Sequence, residues 1–411
     1  MSDPQRIEIE GAKIAVDPDD VLVTVGDTTV SGWKTVRITA GIERCPRDFD
    51  ITATEVFPGT DQIVMRPGDA CSVFIGRDRV VTGYVNRYSA SINATGHTVS
   101  VSGRGACQDV VDCAAHWPGQ QIISTSVLAV AQQLVAPLGR TSESGPDDVG
   151  ISVRGVTGPS VGLPGPDPAS RIIPYLVLML GETVWEIIER MCRLSGLLAY
   201  EDADGMLVLA QGPSAEPDAP LTMDVAGTGF AEGVNVVSAT LSLSDDQRFS
   251  AYEVYWFSFN PLLEFGEEQN FISTSADTAV KRYRPHVMIA ETGKEMSYQV
   301  AIDRANWEAS RRWGQGHQLT IITDSWRDGN GNLYRPFTLA RLELPTLKIT
   351  RVSWVISEVS YIKNANGTSC ELKLAPIEAF TIQPRLPQYA IPAELINEAA
   401  RIRAAQRTPG G

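Results

Sequence analysis

The chain has no apolar run near the roughly 20 residues that a membrane span needs. Its longest candidate, Ile172 to Leu180, is interrupted by Pro174 and stops at Gly181, so no stable membrane insertion is expected. The first eleven residues, Met1 to Gly11, lack the basic region and apolar stretch of a secretion signal. The expectation is a protein made and folded in a cytoplasm. Cysteine is thin as well. Cys45, Cys71, Cys107, Cys113, Cys192 and Cys370 are spread through 411 residues without one CxxC pair, which argues against a disulfide framework. Cys107 and Cys113 have only His116 beside them and read as buried thiols rather than a zinc site. The four histidines, His97, His116, His286 and His317, show no metal-ligand spacing with one another. Positive charge is in deficit: 35 Lys and Arg stand against 49 Asp and Glu, a net −14. Binding to phosphates comes from Lys and Arg releasing counterions, so no specific nucleic-acid binding is expected. The sign excludes a clamp and permits a conduit.

What is present is an ordinary globular balance, 43% hydrophobic and 20% charged, in a chain long enough for about two to four domains. From Val21 to Arg104 short β-branched runs alternate with period two, the mark of half-buried antiparallel strands. Gly26-Asp27, Arg77-Asp78 and Asn93-Ala94-Thr95-Gly96 supply turn chemistry between them. After Gly105 the texture changes. Ser126 precedes the helical stripe Val127, Val130, Ala131, Leu134 and Val135, closed by Pro137 and Gly139. A second helix opens with the capping box Thr183-x-x-Glu186 and ends at Gly196. Strands return at Ala239–Leu243 and Tyr252–Phe257, a helix is predicted over 298–313, and further strands over 318–323, 338–344, 352–361 and 369–375.

This texture gives an N-terminal arm (1–19), a first β-barrel domain (20–105), and an α+β insert domain (106–238) with a Gly/Pro loop over 139–170. A second β-barrel domain (239–380) carries helix 298–313, and a C-terminal extended segment and helix follow (381–411). In that last segment Pro392 opens a stripe of Ile391, Leu395, Ile396, Ala399 and Ile402. A helix of about four turns is marginal alone in water, so it is expected to dock on a neighbour.

Two stretches share a grammar. Met65-Arg66-Pro67-Gly68 leads to strand Val80–Tyr88, then Asn93-Ala94-Thr95-Gly96 and strand Thr98–Ser102. Tyr334-Arg335-Pro336-Phe337 leads to Trp354–Ile362, then Asn364-Ala365-Asn366-Gly367 and Ser369–Leu374. The expected fold is therefore mainly β with an α+β insert, holding two similar small barrels. Three such chains make a ring of six similar units with pseudo-sixfold symmetry, able to meet a sixfold object on one face and a threefold one on the other.

The ordered motifs Ser31-Gly32-Trp33, Arg66-Pro67-Gly68-Asp69-Ala70-Cys71, Thr82-Gly83-Tyr84-Val85 and Val99-Ser100-Val101-Ser102-Gly103-Arg104 belong to that frame. So do Arg282-Tyr283-Arg284-Pro285, Gly331-Asn332-Leu333-Tyr334 and Leu372-Lys373-Leu374-Ala375-Pro376. Over about residues 20–380 the chain resembles the baseplate hub proteins of Mu-type contractile-tail phages. These are related to T4-type hubs, phage late-control proteins and the base of type VI secretion spikes. The resemblance implies a homotrimeric ring in the tail baseplate of a virion, assembled in the host cytoplasm, around a channel that lets DNA through. The partners it implies are the chain itself, a trimeric spike protein, the tail tube or an adjoining tube-initiator protein, and the tape-measure protein.

Enzymatic readings are weaker, and no catalytic residue, metal ligand or cofactor is assigned. Gly158-Pro159-Ser160-Val161-Gly162 spells GxSxG but sits in the Gly/Pro loop, without the strand-to-helix turn a nucleophilic serine needs. Asp202-Ala203-Asp204-Gly205 lacks the later ligands of a calcium loop and reads as a hairpin turn. A peptidoglycan hydrolase would need paired carboxylates, and nothing singles out a pair. The aromatic strand at Tyr252–Phe259 reads as buried rather than glycan-binding. A peptidoglycan hydrolase or glycan-binding tail module is the alternative. A receptor-binding fibre would be long and repetitive, and this chain is neither.

Overall fold

The computed structural model describes residues 7–8, 17–42, 44–54, 63–93, 96–139, 151–156, 172–195, 197–210, 224–258, 270–292 and 298–380. The protein is mainly β. Its first unit comprises β1 (Ile7–Glu8), β2 (Val21–Val25), β3 (Thr28–Val30), β4 (Thr35–Gly41), β5 (Asp48–Thr54), β6 (Ala70–Ile75), β7 (Asp78–Asn93) and β8 (Gly96–Gly105). They pair in the order β1-β3-β2-β6-β7-β8-β5-β4, each contact antiparallel. Alternation drives this: Val21, Val23, Val36, Ile38, Phe49, Ile51, Val73, Ile75, Val99 and Val101 are all buried, as period-two strands over one core require. The expected turn at Arg77-Asp78 falls one residue earlier, because Gly76 supplies the positive φ of 59° and Asp78 already pairs with Ile75.

The insert contains α1 (Gln108–Asp112), β9 (Gln121–Ser126), α2 (Val127–Val135), β10 (Val153–Val156), β11 (Ile172–Val177), α3 (Val184–Ser195), β12 (Leu198–Glu201) and β13 (Leu207–Ala210). Both predicted caps form. Ser126 Oγ accepts from Ala129 N at 3.2 Å, and Thr183 and Glu186 bond reciprocally at 2.8 and 3.2 Å. Val130, Leu134, Ile187, Ile188 and Met191 meet in a core of their own. The long loop expected over 139–170 is interrupted by β10, which lies parallel to β13. A four-residue strand held by a partner distant in sequence leaves little local signal. Likewise Ile172–Val177 is not merely a broken apolar run but strand β11, paired with β9.

The remainder comprises β14 (Asp224–Val225), β15 (Phe230–Ala231), β16 (Ser238–Leu243), β17 (Ala251–Ser258), β18 (Asn270–Ala276), β19 (Pro285–Thr292), α4 (Tyr298–Gln315), β20 (His317–Thr323), β21 (Thr338–Leu344), β22 (Ile349–Asn364) and β23 (Gly367–Ala375). β18, β17 and β19 form a separate small sheet under α4, with Val254 and Ala305 buried between them. The sequence reading missed β18 and β19, whose Ser- and Thr-rich or Pro-initiated runs lack clean alternation. The other strands continue the first unit's sheet, in the order β4-β22-β23-β20-β16, with β21 also on β22.

The two strand-rich regions are thus one continuous sheet over one shared core, in which Val73 and Val101 belong with Tyr361 and Leu372. Among the described strands the ladder runs open, with no pairing that closes either unit into a barrel. The expected Ser160 motif, most of the 139–170 loop, Gly196 and the C-terminal helix at 391–406 lie outside the described residues.

Candidate assembly surface

β7 and β22 are each 16 residues long, and each serves two neighbours in the same way. Every residue of β7 stands 271 positions before its counterpart, so that Asp78 answers to Ile349 and Asn93 to Asn364. Tyr84↔Arg104, Val85↔Gly103, Arg87↔Ser102 and Asn93↔Gly96 in the first unit match Val355↔Ala375, Ile356↔Leu374, Glu358↔Lys373 and Asn364↔Gly367 in the second. The bulge falls at the same place, at Asn86 and at Ser357. A bulge bends its strand and raises the local twist; here it divides each long strand into two halves, with β21 and then β4 along one edge of β22, and β6 along the first half of the matching edge of β7. Just before it, Gly68 N donates to Val85 O at 2.7 Å and Phe337 N to Ile356 O at 2.8 Å. Both donors sit at positive φ, 96° and 65°. The correspondence extends to the outer strands: β4·β5·β8 is answered by β16·β20·β23, with Thr35↔Thr52↔Ser100 matching Ser238↔Ile322↔Glu371.

The two units meet where β4 pairs antiparallel with the second half of β22, from Glu358↔Gly41 to Lys363↔Val36. Thr39 and Ser360 share a buried hydroxyl contact at 3.3 Å. Arg44 spans Asp48 and Glu358, and Lys373 reaches Glu358 at 2.8 Å. A second tie comes from Arg327, whose guanidinium donates to Asp19 at 3.1 Å, Asp78 at 2.8 Å and the Pro18 carbonyl at 2.6 Å. This residue bolts the loop before β21 onto the first unit.

The insert is fixed by Glu201, at the end of β12 and fully buried. The N–H groups of Arg47 and Cys107 donate to its two carboxylate oxygens at 2.7 and 2.8 Å. Arg47 Nε also donates to the Glu201 carbonyl at 3.0 Å. Burial pushes the Glu201 carboxyl above its ordinary value despite these donors. Gly105 is needed beside it, because a Cβ there would run into the carboxylate. Sequence reasoning missed Glu201, Arg47 and Arg327. Their partners lie far away in sequence, and no local pattern distinguishes them from surface charge.

The residues weighed for chemistry have structural partners. Asp202 accepts from the N–H groups of Asp204 and Met206 at 3.0 Å each, which is hairpin-turn bonding. His286 stacks on Phe249 with ring centroids 4.6 Å apart, and His317 Nδ1 contacts the Trp313 carbonyl at 2.6 Å. Tyr252 is buried, and its hydroxyl accepts from Phe249 N at 3.0 Å. Among the described residues no group of three His, Cys, Asp or Glu is placed to hold a metal ion. The features built from the described residues are strand edges and the joints between them.

Comparison with known proteins agrees in kind. Family models described as Mu phage baseplate assembly protein GpP-like, N-terminal, as baseplate hub protein gp44-like, second domain, and as Mu phage baseplate assembly protein GpP, fourth domain, match residues 20–105, 167–211 and 297–383. The chain is 28% identical to the baseplate hub protein gp44 of Escherichia phage Mu over 361 residues, 86% of each chain. Its fold is similar to that of a 43 kDa tail protein from prophage MuSo2 of Shewanella oneidensis, at TM-score 0.70 and 24% identity, covering 88% of this chain and 99% of that one. It is also similar to an E. coli type VI secretion component described as structurally similar to T4 tail proteins gp27 and gp5, at TM-score 0.51 and 9% identity, covering 93% and 80%.

Proposed function

We propose that this chain, which matches Mu phage baseplate family models over residues 20–105, 167–211 and 297–383, works as a homotrimeric ring between a sixfold tail tube and a threefold membrane-piercing spike. Its role is that of a structural baseplate hub, a component of a virion tail. The observation that carries the ring is the residue-by-residue register shared by the β7 and β22 units. One chain holding two like units supplies a sixfold face from three copies. The long strands, each bent at a bulge, are what a small barrel uses at its corners. We assign residues 20–105 and 239–380 to the two barrel-like units, the second of which β14 and β15 join by pairing with β21, the rest of 106–238 to the insert, and the segment 381–411 to docking on a neighbouring subunit or baseplate protein. Proposed partners are the spike, the tube or its initiator, and the tape-measure protein. The net charge of −14 suits a lumen that DNA crosses without being held. Light scattering of the purified protein near physiological salt tests the ring: a trimer, or an equilibrium ending in trimer, is expected. A clean dimer or tetramer would discard it. Incubation with purified peptidoglycan separates off the alternative, since a hydrolase clears turbidity and a glycan-binding module pellets with the wall.

A further inference from the structure

The joint inside the chain has an unfilled counterpart. β4 covers the second half of β22 along the edge opposite β23. In the first unit, β6 and the residues before it occupy β7 only up to Val85. Beyond the bulge no described strand pairs with β7 opposite β8, and Ser89, Ala90, Ser91 and Ile92 are exposed. At the far end of the sheet β16, the counterpart of β4, pairs with β20 alone. Its burial reflects that. Val36, Ile38 and Ala40 of β4 are at most 2% exposed, whereas Leu243, at the position of Ala40, is 64% exposed, and Ile92 across the gap is 84% exposed.

Carrying the β4·β22 register onto these edges sorts their chemistry. Leu243 falls opposite Tyr88, Leu241 opposite Ala90 and Ala239 opposite Ile92 on one face, and Ser242 falls opposite Ser89 and Thr240 opposite Ser91 on the other. Apolar meets apolar and hydroxyl meets hydroxyl. The Ser242–Ser89 pair stands where Thr39 and Ser360 make their buried contact. A one-residue slip would set each apolar side chain against the polar face. Exposed strand edges are ready templates for another chain, and strand addition takes affinity from the backbone and specificity from alternate side chains.

We infer that the edge of β7 from Ser89 to Ile92 in one copy takes up β16 of a second copy of this chain, antiparallel, with Ser242 opposite Ser89. This rests on the ring reading and specifies its joint: the contact is head-to-tail, and three copies close when the joint between chains repeats the one within.

The test uses the full chain carrying Ser89→Cys with Ser242→Cys. Mild oxidation should give covalent dimers and trimers on a non-reducing gel. The parent, each single variant, and an off-register pair of Ser89→Cys with Ser238→Cys should not. Ile92→Asp should shift the mass towards monomer while its unfolding midpoint stays that of the parent. A protein that is trimeric by light scattering yet cross-links no better than the off-register pair overturns this joint and leaves the ring standing. A fast-running monomer band, from a disulfide within one chain, also overturns it. A chain that stays monomeric and uncross-linked, or closes as another number, overturns both.

Discussion

Glu201 shows how much one buried carboxylate can organise. It satisfies two backbone donors from separate segments, at Arg47 and Cys107, and so ties the insert to the first sheet. Glu201→Gln can offer only one good acceptor oxygen to those two N–H groups. It should lower stability by about 1–3 kcal/mol, the cost of an unsatisfied buried donor, measured by chemical denaturation; an unchanged midpoint would mean the bonds are dispensable. The pH dependence has a definite sign. The folded carboxyl titrates above its ordinary 4.5, so the folded chain keeps a proton that the unfolded chain has released. Its contribution is full below that value and declines as pH rises towards the folded pKa. The gap between parent and Gln variant should therefore narrow with rising pH. The thiols give a second residue-scale expectation. Burial pushes Cys71 and Cys192 up to about 12 and raises Cys370 as well, leaving almost no thiolate at pH 8. Labelling the native protein there should modify at most the two half-buried cysteines, Cys45 and Cys113. Prompt reaction of four or more would show that these cores open readily.

Among the elements, β7 and β22 set the architecture, because the bulge divides each into two halves, and in β22 the halves face β21 and β4 in succession. Ser357 is the extra residue opposite β23. Deleting it would move Val359 and Tyr361, both buried, onto the opposite face, since side chains alternate with period two. The deletion should abolish cooperative unfolding in a thermal melt. Ser357→Ala, which loses only a 3.0 Å bond to the Lys373 carbonyl, should cost about 1 kcal/mol. If the deletion melts like the parent, the strand must tolerate either register, and the bulge has no directing role.

On the scale of the whole molecule, the insert and the β17–β19 sheet with α4 are additions to a duplicated plan. Only residues 42–47 separate β4 from β5, whereas the corresponding β16 and β20 are separated by the whole of β17, β18, β19 and α4. The shared strands stay in register despite that. Removal of residues 385–411 should leave the sheet core intact by circular dichroism and weaken trimer formation or spike attachment. A truncated chain that assembles fully on both counts would make the segment a solvated tail.

The sequence by itself determined the strand alternation, the caps at Ser126 and Thr183, and the like order and spacing of motifs in its two strand-rich stretches. Each is a local property: period two buries one face, a short polar side chain reaches its own helix end, and a turn needs particular backbone angles. The tertiary structure decided what pairs with what. That β4 joins β22, that Arg327 reaches Asp19 and Asp78, and that Glu201 serves Arg47 and Cys107 are facts about partners many residues away. Strand edges carry the same N–H and C=O groups everywhere. Their choice of partner follows from how the bulges aim them and which faces share a core, not from any local run of residues.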